Sequence, residues 1–186
     1  MGWTSYYAER YKNGKIDRRA ECDHIFRTEL NAAKTHMLTL LKSAMVGSTY
    51  YAAIEIKSIS DESDREVFAV VCLTSTKDGE FYYKDMTETC CPCEQKCPKS
   101  ILKLLTPTEN EYANKWRKGC EEYHSNKKNS PNNLPVGTKI KCTIGGKDMI
   151  LIKHPAAYQF KTPFWYDGKG YIPKSRIPNE YEIIEE

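Results

Sequence analysis

Four of the eight cysteines crowd into "CCPCEQKC": Cys90, Cys91, Cys93 and Cys97. Thiols this dense ligate a metal, pair as disulfides, react, or line a tight turn. Cys90 and Cys93 have C-x2-C spacing, one half of a metal-ligand pattern. Cys120 and His124 fall four apart in "ENEYANKWRKGCEEYH", on one face of a helix. Cys90, Cys93, Cys120 and His124 together would supply three thiolates and an imidazole, a tetrahedral zinc set. The competing reading is a turn braced by Pro92 and Pro98, because cysteine outside disulfides is among the most buried residue types. Cys97 precedes a helix start, but no histidine adjoins it to act as a catalytic base.

A second constellation lies in "PFWYDGKGYIPKSRIP" and just before it. Lys161, Trp165, Tyr166, Lys169, Lys174 and Arg176 mix rings with cations around a D-G-x-G turn. Rings stack on bases and cations neutralise phosphates, as a groove for single-stranded nucleic acid requires. The same surface suits an acidic or nucleic-acid-binding partner. The alternative is a hairpin whose rings form core and whose lysines are solvated. Charge placement bears on this choice. Residues 125–178 hold ten basic and two acidic side chains, residues 1–124 hold 18 basic and 19 acidic, and 179–186 hold four glutamates. The basic segment either attracts polyanions or clothes a solvated sheet surface.

Other chemistry is thinly represented. No P-loop, H-E-x-x-H or G-x-S-x-G motif occurs. His24, His36, His124 and His154 are scattered. Asp85 and Glu88 in "YKDMTET" are paired acids, for which loop hydrogen bonding is the ordinary use and acid–base work the rarer one.

The elements that must position these residues follow from pattern. "WTSYYAE" reads as a strand, with a turn at Asn13-Gly14. Asp17 caps a helix through "RRAECDHIFRTEL". "HMLTLLKSAMV" leans to strand. "STYYAAIEIKSI" alternates Ala52, Ile54 and Ile56 against Ala53, Glu55 and Lys57, a strand signature. "REVFAVVCLTST" and "EFYYKDM" pair as a hairpin across "KDG". Pro98 opens a short helix, and Thr108 with Glu111 forms a capping box for the next. "HSNKKNSPNNLPVG" reads as a linker or long loop. Beyond it, "TKIKCTI", "KDMILIKH", "YQF", "PFWYDGKGYIP" and "EYEII" are short strands separated by turn residues. The expectation is an α+β domain over 1–128, an antiparallel sheet with helices, followed by a small SH3-like all-β module over 129–186.

Forty per cent apolar and 28% charged residues fit a globular chain, and no run approaches the 18 apolar residues of a membrane span. The N-terminal stretch lacks the apolar core of a signal peptide, so the expected location is a reducing cytoplasm, where clustered thiols favour metal or free forms over disulfides.

The strings "MGWTSY", "SAMVGSTYYAA", "YKDMTET…CP…ILKLLTPT" and "YANKWRKGC" resemble a group of MGWT-type small proteins carried by phages, prophages and conjugative elements of Firmicutes. In size and character the chain is similar to type II-A anti-CRISPR proteins, which inhibit Cas9. The resemblance covers residues 1–124 well and the remainder loosely. It implies a non-enzymatic counter-defence protein in the cytoplasm of a bacterial host, binding Cas9 or another defence nuclease and blocking its engagement with DNA. It further implies contact with DNA or guide RNA. The alternative is a nucleic-acid-binding accessory protein, zinc-stabilised or not. No functional residue is carried over from the resemblance.

Overall fold

The computed structural model of the chain describes residues 2–61, 63–90, 93–128, 130–157 and 159–184. Cys91 and Pro92 of the cysteine loop and Tyr158 of "YQF" lie outside the described residues. Antiparallel strand predominates, with a few helices, so the α+β class holds. The chain divides into two compact units, residues 1–123 and 124–186.

Unit 1 is built on a six-stranded sheet. Its elements are β1 (Thr4–Tyr7), a small hairpin of β2 (Tyr11–Lys12) and β3 (Lys15–Ile16), α1 (Arg18–Ile25), β4 (Glu29–Leu30), and a meander of β5 (His36–Val46), β6 (Thr49–Ser58), β7 (Arg65–Lys77) and β8 (Glu80–Thr87). β1 pairs with β8, so the sheet order is β1-β8-β7-β6-β5-β4. After the cysteine loop come α2 (Lys99–Leu102) and α3 (Glu111–Lys128).

Period-two alternation in β6 and β7 sends neighbours to opposite faces. Tyr50, Ala52, Ile54, Val70 and Cys72 pack with Phe81 and with Cys22, Ile25 and Phe26 of and just beyond α1. Tyr51, Ala53, Val67, Ala69 and Val71 pack against Ile101 of α2 and Trp116 and Cys120 of α3. Helices therefore cover both sheet faces, and β6 is buried without interruption from Thr49 to Ile54. The alternation in "STYYAAIEIKSI" thus separates two buried faces along that part of the strand.

Three local expectations change. Asp17 does cap α1, its carboxylate accepting from the Ala20 amide at 3.1 Å, but the helix stops at Ile25. Glu29 and Leu30 instead form an edge strand against Leu38 and Met37 of β5. The Thr108–Glu111 capping box is displaced by Asn110, whose Oδ1 accepts from the Tyr112 and Ala113 amides at 3.0 and 3.1 Å. Asn is at least as good an N-cap as Thr, and it stands directly before the helix. The segment read as a linker or long loop begins as helix: α3 runs through His124 to Lys128, and Asn133 Nδ2 donates to the carbonyls of Lys127 (2.7 Å) and Lys128 (3.3 Å).

Unit 2 holds β9 (Lys139–Ile144), β10 (Lys147–His154), β11 (Phe164–Tyr166), β12 (Tyr171–Ile172) and β13 (Glu182–Ile184) in one antiparallel sheet ordered β12-β11-β10-β9-β13. A two-residue turn at Gly145-Gly146 joins β9 to β10, and a 3-10 turn at Lys174–Arg176 precedes β13. Ile140, Cys142, Leu151, Trp165 and Ile177 form its core. No helix among the described residues is long and apolar enough to cross a membrane.

Candidate functional site

Of the first constellation, Cys93, Cys97 and Cys120 are absorbed by structure. Cys93 and Cys97 are buried beside Trp116 and Cys120 in the helix-side core of unit 1. The loop is docked by its backbone: the Glu94 carbonyl accepts from the Tyr51 hydroxyl at 3.1 Å and from Trp116 Nε1 at 3.3 Å. Its side chain adds a bond from the Thr49 hydroxyl at 2.9 Å. Burial, with Cys120 and Glu88 nearby, pushes the Cys97 thiol far above its ordinary value, and burial lifts Cys120 to about 11. Cys90 is the exception, since hydrogen bonds from the Thr87 and Thr89 hydroxyls lower its pKa. Cys93 and Cys120 share one core, yet among the described residues no three His, Cys, Asp or Glu side chains are grouped to hold a metal ion. Of Cys90, Cys93, Cys120 and His124, the structure brings Cys93 and Cys120 into one core and leaves Cys90 half-exposed, and a zinc set drawn from the four stays an expectation of their spacing.

The acids also have structural work. Glu88, 2% exposed, takes a bidentate grip from Arg117: Nε to Oε2 at 2.6 Å and Nη2 to Oε1 at 2.7 Å. Glu88 Oε1 further accepts from the Ala69 amide, and Arg117 Nη1 donates to the Thr106 carbonyl. This ties α3 to β7 and to the segment leading into α3. On the other sheet face, Glu21 is fully buried and accepts from the Tyr6 hydroxyl, the Glu9 and Arg10 amides, and Arg10 Nη1 at 2.6–3.0 Å. Burial raises its pKa, but these hydrogen bonds outweigh burial and hold the carboxyl below its ordinary value.

The second constellation is assembled by strand geometry. In β11 the sequence Phe-Trp-Tyr alternates faces. Trp165 turns inward and is fully buried in the core of unit 2. Phe164 and Tyr166 turn to the opposite face. Register then supplies their neighbours: His154 of β10 lies opposite Phe164, and Tyr171 of β12 opposite Tyr166. Phe160 joins them through a bridge between Ala157 and Phe160. The His154 and Phe164 rings stack at 5.6 Å, Phe160 lies 4.5 Å from Phe164 and 4.8 Å from Tyr171, and His154 meets Tyr166 edge-on at 5.6 Å. With Gln159 these rings line an open concavity of about 460 Å³, mostly apolar.

Beneath it, Lys153 is buried and donates from Nζ to the carbonyls of Asn132 and Leu134, both at 2.6 Å, with its ammonium 5.9 Å from the Trp165 ring. Burial and the charge of Lys174 lower its pKa. Lys153 therefore fastens the Asn132–Leu134 segment to β10 and is withdrawn from the solvated cations. The exposed ones are Lys161 beside Phe160, Lys169 at the tip of the β11–β12 turn, and Lys174 and Arg176 in the following 3-10 turn. Asp167 shapes that tip, its Oδ1 accepting from the Lys169 and Gly170 amides at 2.8 and 2.7 Å.

Of the residues singled out by sequence, Tyr166 lies in the aromatic concavity, Lys161, Lys169, Lys174 and Arg176 are exposed on segments bearing its rings or following them, and Trp165 is internal. Sequence reasoning passed over His154, Gln159 and Phe160. The signal for His154 was its place ending "KDMILIKH", in phase with the outward positions of a strand paired to "FWY". No protein-family model, curated protein or solved structure matches the chain.

Proposed function

We propose that this is a non-enzymatic binding protein whose C-terminal unit holds single-stranded nucleic acid by stacking bases on half-buried rings that line an open face. The observation that carries this reading is the set of five rings, His154, Phe160, Phe164, Tyr166 and Tyr171, brought to one open face. Bases of every type have a π-face, and each stacked base contributes about 1–3 kcal/mol. Lys161, Lys169, Lys174 and Arg176 then neutralise phosphates. An aromatic cage for an ammonium ligand would favour a carboxylate at its rim, whereas the exposed charges on these segments are mostly cationic. The strand order, fourth-third-second-first-fifth with a 3-10 turn before the last strand, supports an SH3-like roll as the scaffold. The non-enzymatic part rests on the fate of buried groups that could react: Glu88, one of the paired acids, is consumed with Glu21 in structural ties, and Cys93, Cys97 and Cys120 are consumed as core.

The test is binding of a fluorescent single-stranded oligonucleotide by anisotropy, with Phe164→Ala and Tyr171→Ala beside the unaltered chain. The double substitution keeps every cation, so a marked loss of affinity assigns binding to the rings. Unchanged affinity removes the proposal.

The second reading places this binding in counter-defence: the protein occupies Cas9 and blocks its engagement with DNA in the cytoplasm of a bacterial host. It is supported by the strings that resemble phage and conjugative-element proteins. Addition of the protein to guide-loaded Cas9 should then halt target cleavage, and intact cleavage at saturating protein would refute it.

A further inference from the structure

Unit 1 carries a charged feature that its overall balance conceals. The β2–β3 hairpin turns at Asn13-Gly14, both in the left-handed region with φ of 52° and 74°, and this tight turn sets Lys12 directly opposite Lys15. Like charges directly opposite on paired strands destabilise the pair. The hairpin is nevertheless firmly seated. Glu21 accepts from the Glu9 and Arg10 amides at its base, and the Asp17 amide donates to the Arg10 carbonyl at 2.9 Å. Arg10 is neutralised internally by Glu21, and Arg19 is engaged by Asp23 and Ser43. Lys12, Lys15 and Arg18 are different: no ion pair or side-chain hydrogen bond joins them to another described residue.

The hairpin stands between two turns of the large sheet, with a cleft on each side. One cleft, about 530 Å³, is lined by Lys12, Lys15, Arg18 and Arg19 against Met45 and Gly47. The other, about 380 Å³, is lined by Tyr11, Lys15, Arg18 and Lys77 against Gly79. Lys15 and Arg18 belong to both, so the two clefts form one cationic ridge with open flanks. Asp17 and Asp78 are the acids present, and Asp17 is occupied as the α1 cap.

We propose that this ridge is a second nucleic-acid contact, taking successive phosphates of a phosphodiester backbone on Lys12, Lys15, Arg18 and Lys77. A single phosphate would engage the cations of one cleft only. Cations shared across both clefts suit an extended polyanion lying over the ridge. No ring array lies here, so the contact follows the backbone and is indifferent to base sequence. It is independent of the aromatic face of unit 2.

The experiment uses the full chain carrying Phe164→Ala and Tyr171→Ala, so that stacking is removed, together with Lys161→Gln, Lys169→Gln, Lys174→Gln and Arg176→Gln, so that the phosphate contacts proposed for unit 2 are removed as well, and measures binding to a fluorescent DNA duplex, its RNA counterpart and anionic phospholipid vesicles across a salt series. Four phosphate contacts predict a log–log salt slope near −3.6 on duplex DNA, at about −0.9 per contact. Adding Lys12→Glu, Lys15→Glu and Arg18→Glu should abolish duplex binding or flatten the slope by about 3. Glutamate is favoured in the first turn of a helix, so the change at Arg18 does not endanger α1. An unchanged melting curve excludes unfolding, and Lys12→Gln with Lys15→Gln should give an intermediate loss. Duplex binding that survives the reversals, absence of duplex binding in the parent, or binding to vesicles with none to either nucleic acid would overturn the proposal.

Discussion

The Arg117–Glu88 pair offers a quantitative test of how unit 1 is held together. Arg117 sits on α3, and Glu88 follows β8 at the edge of the cysteine loop. The side chain of Glu88 is 1% exposed and that of Arg117 16%. Arg117→Met removes both bonds to the carboxylate and the bond to the Thr106 carbonyl, leaving Glu88 buried with only the Ala69 amide. Breaking a buried pair from one side costs about 3–5 kcal/mol, because a charge is left without compensation. Glu88→Gln leaves the cation, which is nearer to solvent, and should cost less, about 1.5–3 kcal/mol for the lost charged hydrogen bonds. The double variant removes both charges, so its cost should fall below the sum of the singles by roughly 0.5–3 kcal/mol. Urea denaturation followed by circular dichroism and tryptophan fluorescence reads all four corners of the cycle. A cost under about 1 kcal/mol for Arg117→Met, or strict additivity in the double variant, would refute the claim that this pair is the tie between α3 and the sheet.

Three further outcomes follow from buried groups. Glu21 has a lowered folded-state pKa, so its contribution to stability is present above the ordinary glutamate value of about 4.3 and is lost as pH falls through the lower folded value; Glu21→Gln should flatten that acid loss in melts between pH 6 and 3 and lower stability at neutral pH by about 1.5–3 kcal/mol. In the native protein Cys90 should be alkylated well before Cys97 and Cys120, read by peptide mass mapping; equal rates would mean the loop is not docked as described. Chelator treatment should leave the melting temperature unchanged, since Cys93, Cys97 and Cys120 are packed into the core of unit 1, and a fall of several degrees would favour a metal role for Cys90, Cys93, Cys120 and His124.

Much of the fold was legible because it rests on local chemistry. The hairpin residues Asn13-Gly14 and Asp78-Gly79, the Asp17 cap and the strand runs of β6 to β10 all announce themselves within a few residues, whereas β5 reads as helix or strand until the strand after Gly47 is considered. The helix overrun past Ile25 arose because "RTEL" continues an apolar stripe, while its fate was decided by β5, to which Leu30 and Glu29 pair. The structure of 124–128 and 130–134 was hidden for a similar reason: Asn133 bonds the carbonyls of Lys127 and Lys128, Lys153 bonds the carbonyls of Asn132 and Leu134, and Leu134 packs on the unit 2 core, contacts that no local pattern announces. The site was half legible. Composition flagged the rings and cations, but which ring faces outward depends on register, and register put Trp165 inside and His154 outside. The cationic ridge was invisible in charge totals, since unit 1 is nearly neutral and the ridge appears only when Glu21 and Asp23 are seen to neutralise Arg10 and Arg19 while their neighbours stay unengaged.

The central claim is that bases, not phosphates alone, are held on the rings of unit 2. It is tested most directly by comparing a thymidine oligonucleotide with an abasic strand of the same length and charge. Removal of one or two stacked bases should weaken binding by about tenfold or more, at about 1–3 kcal/mol per base. Equal affinity for the two strands would contradict the account.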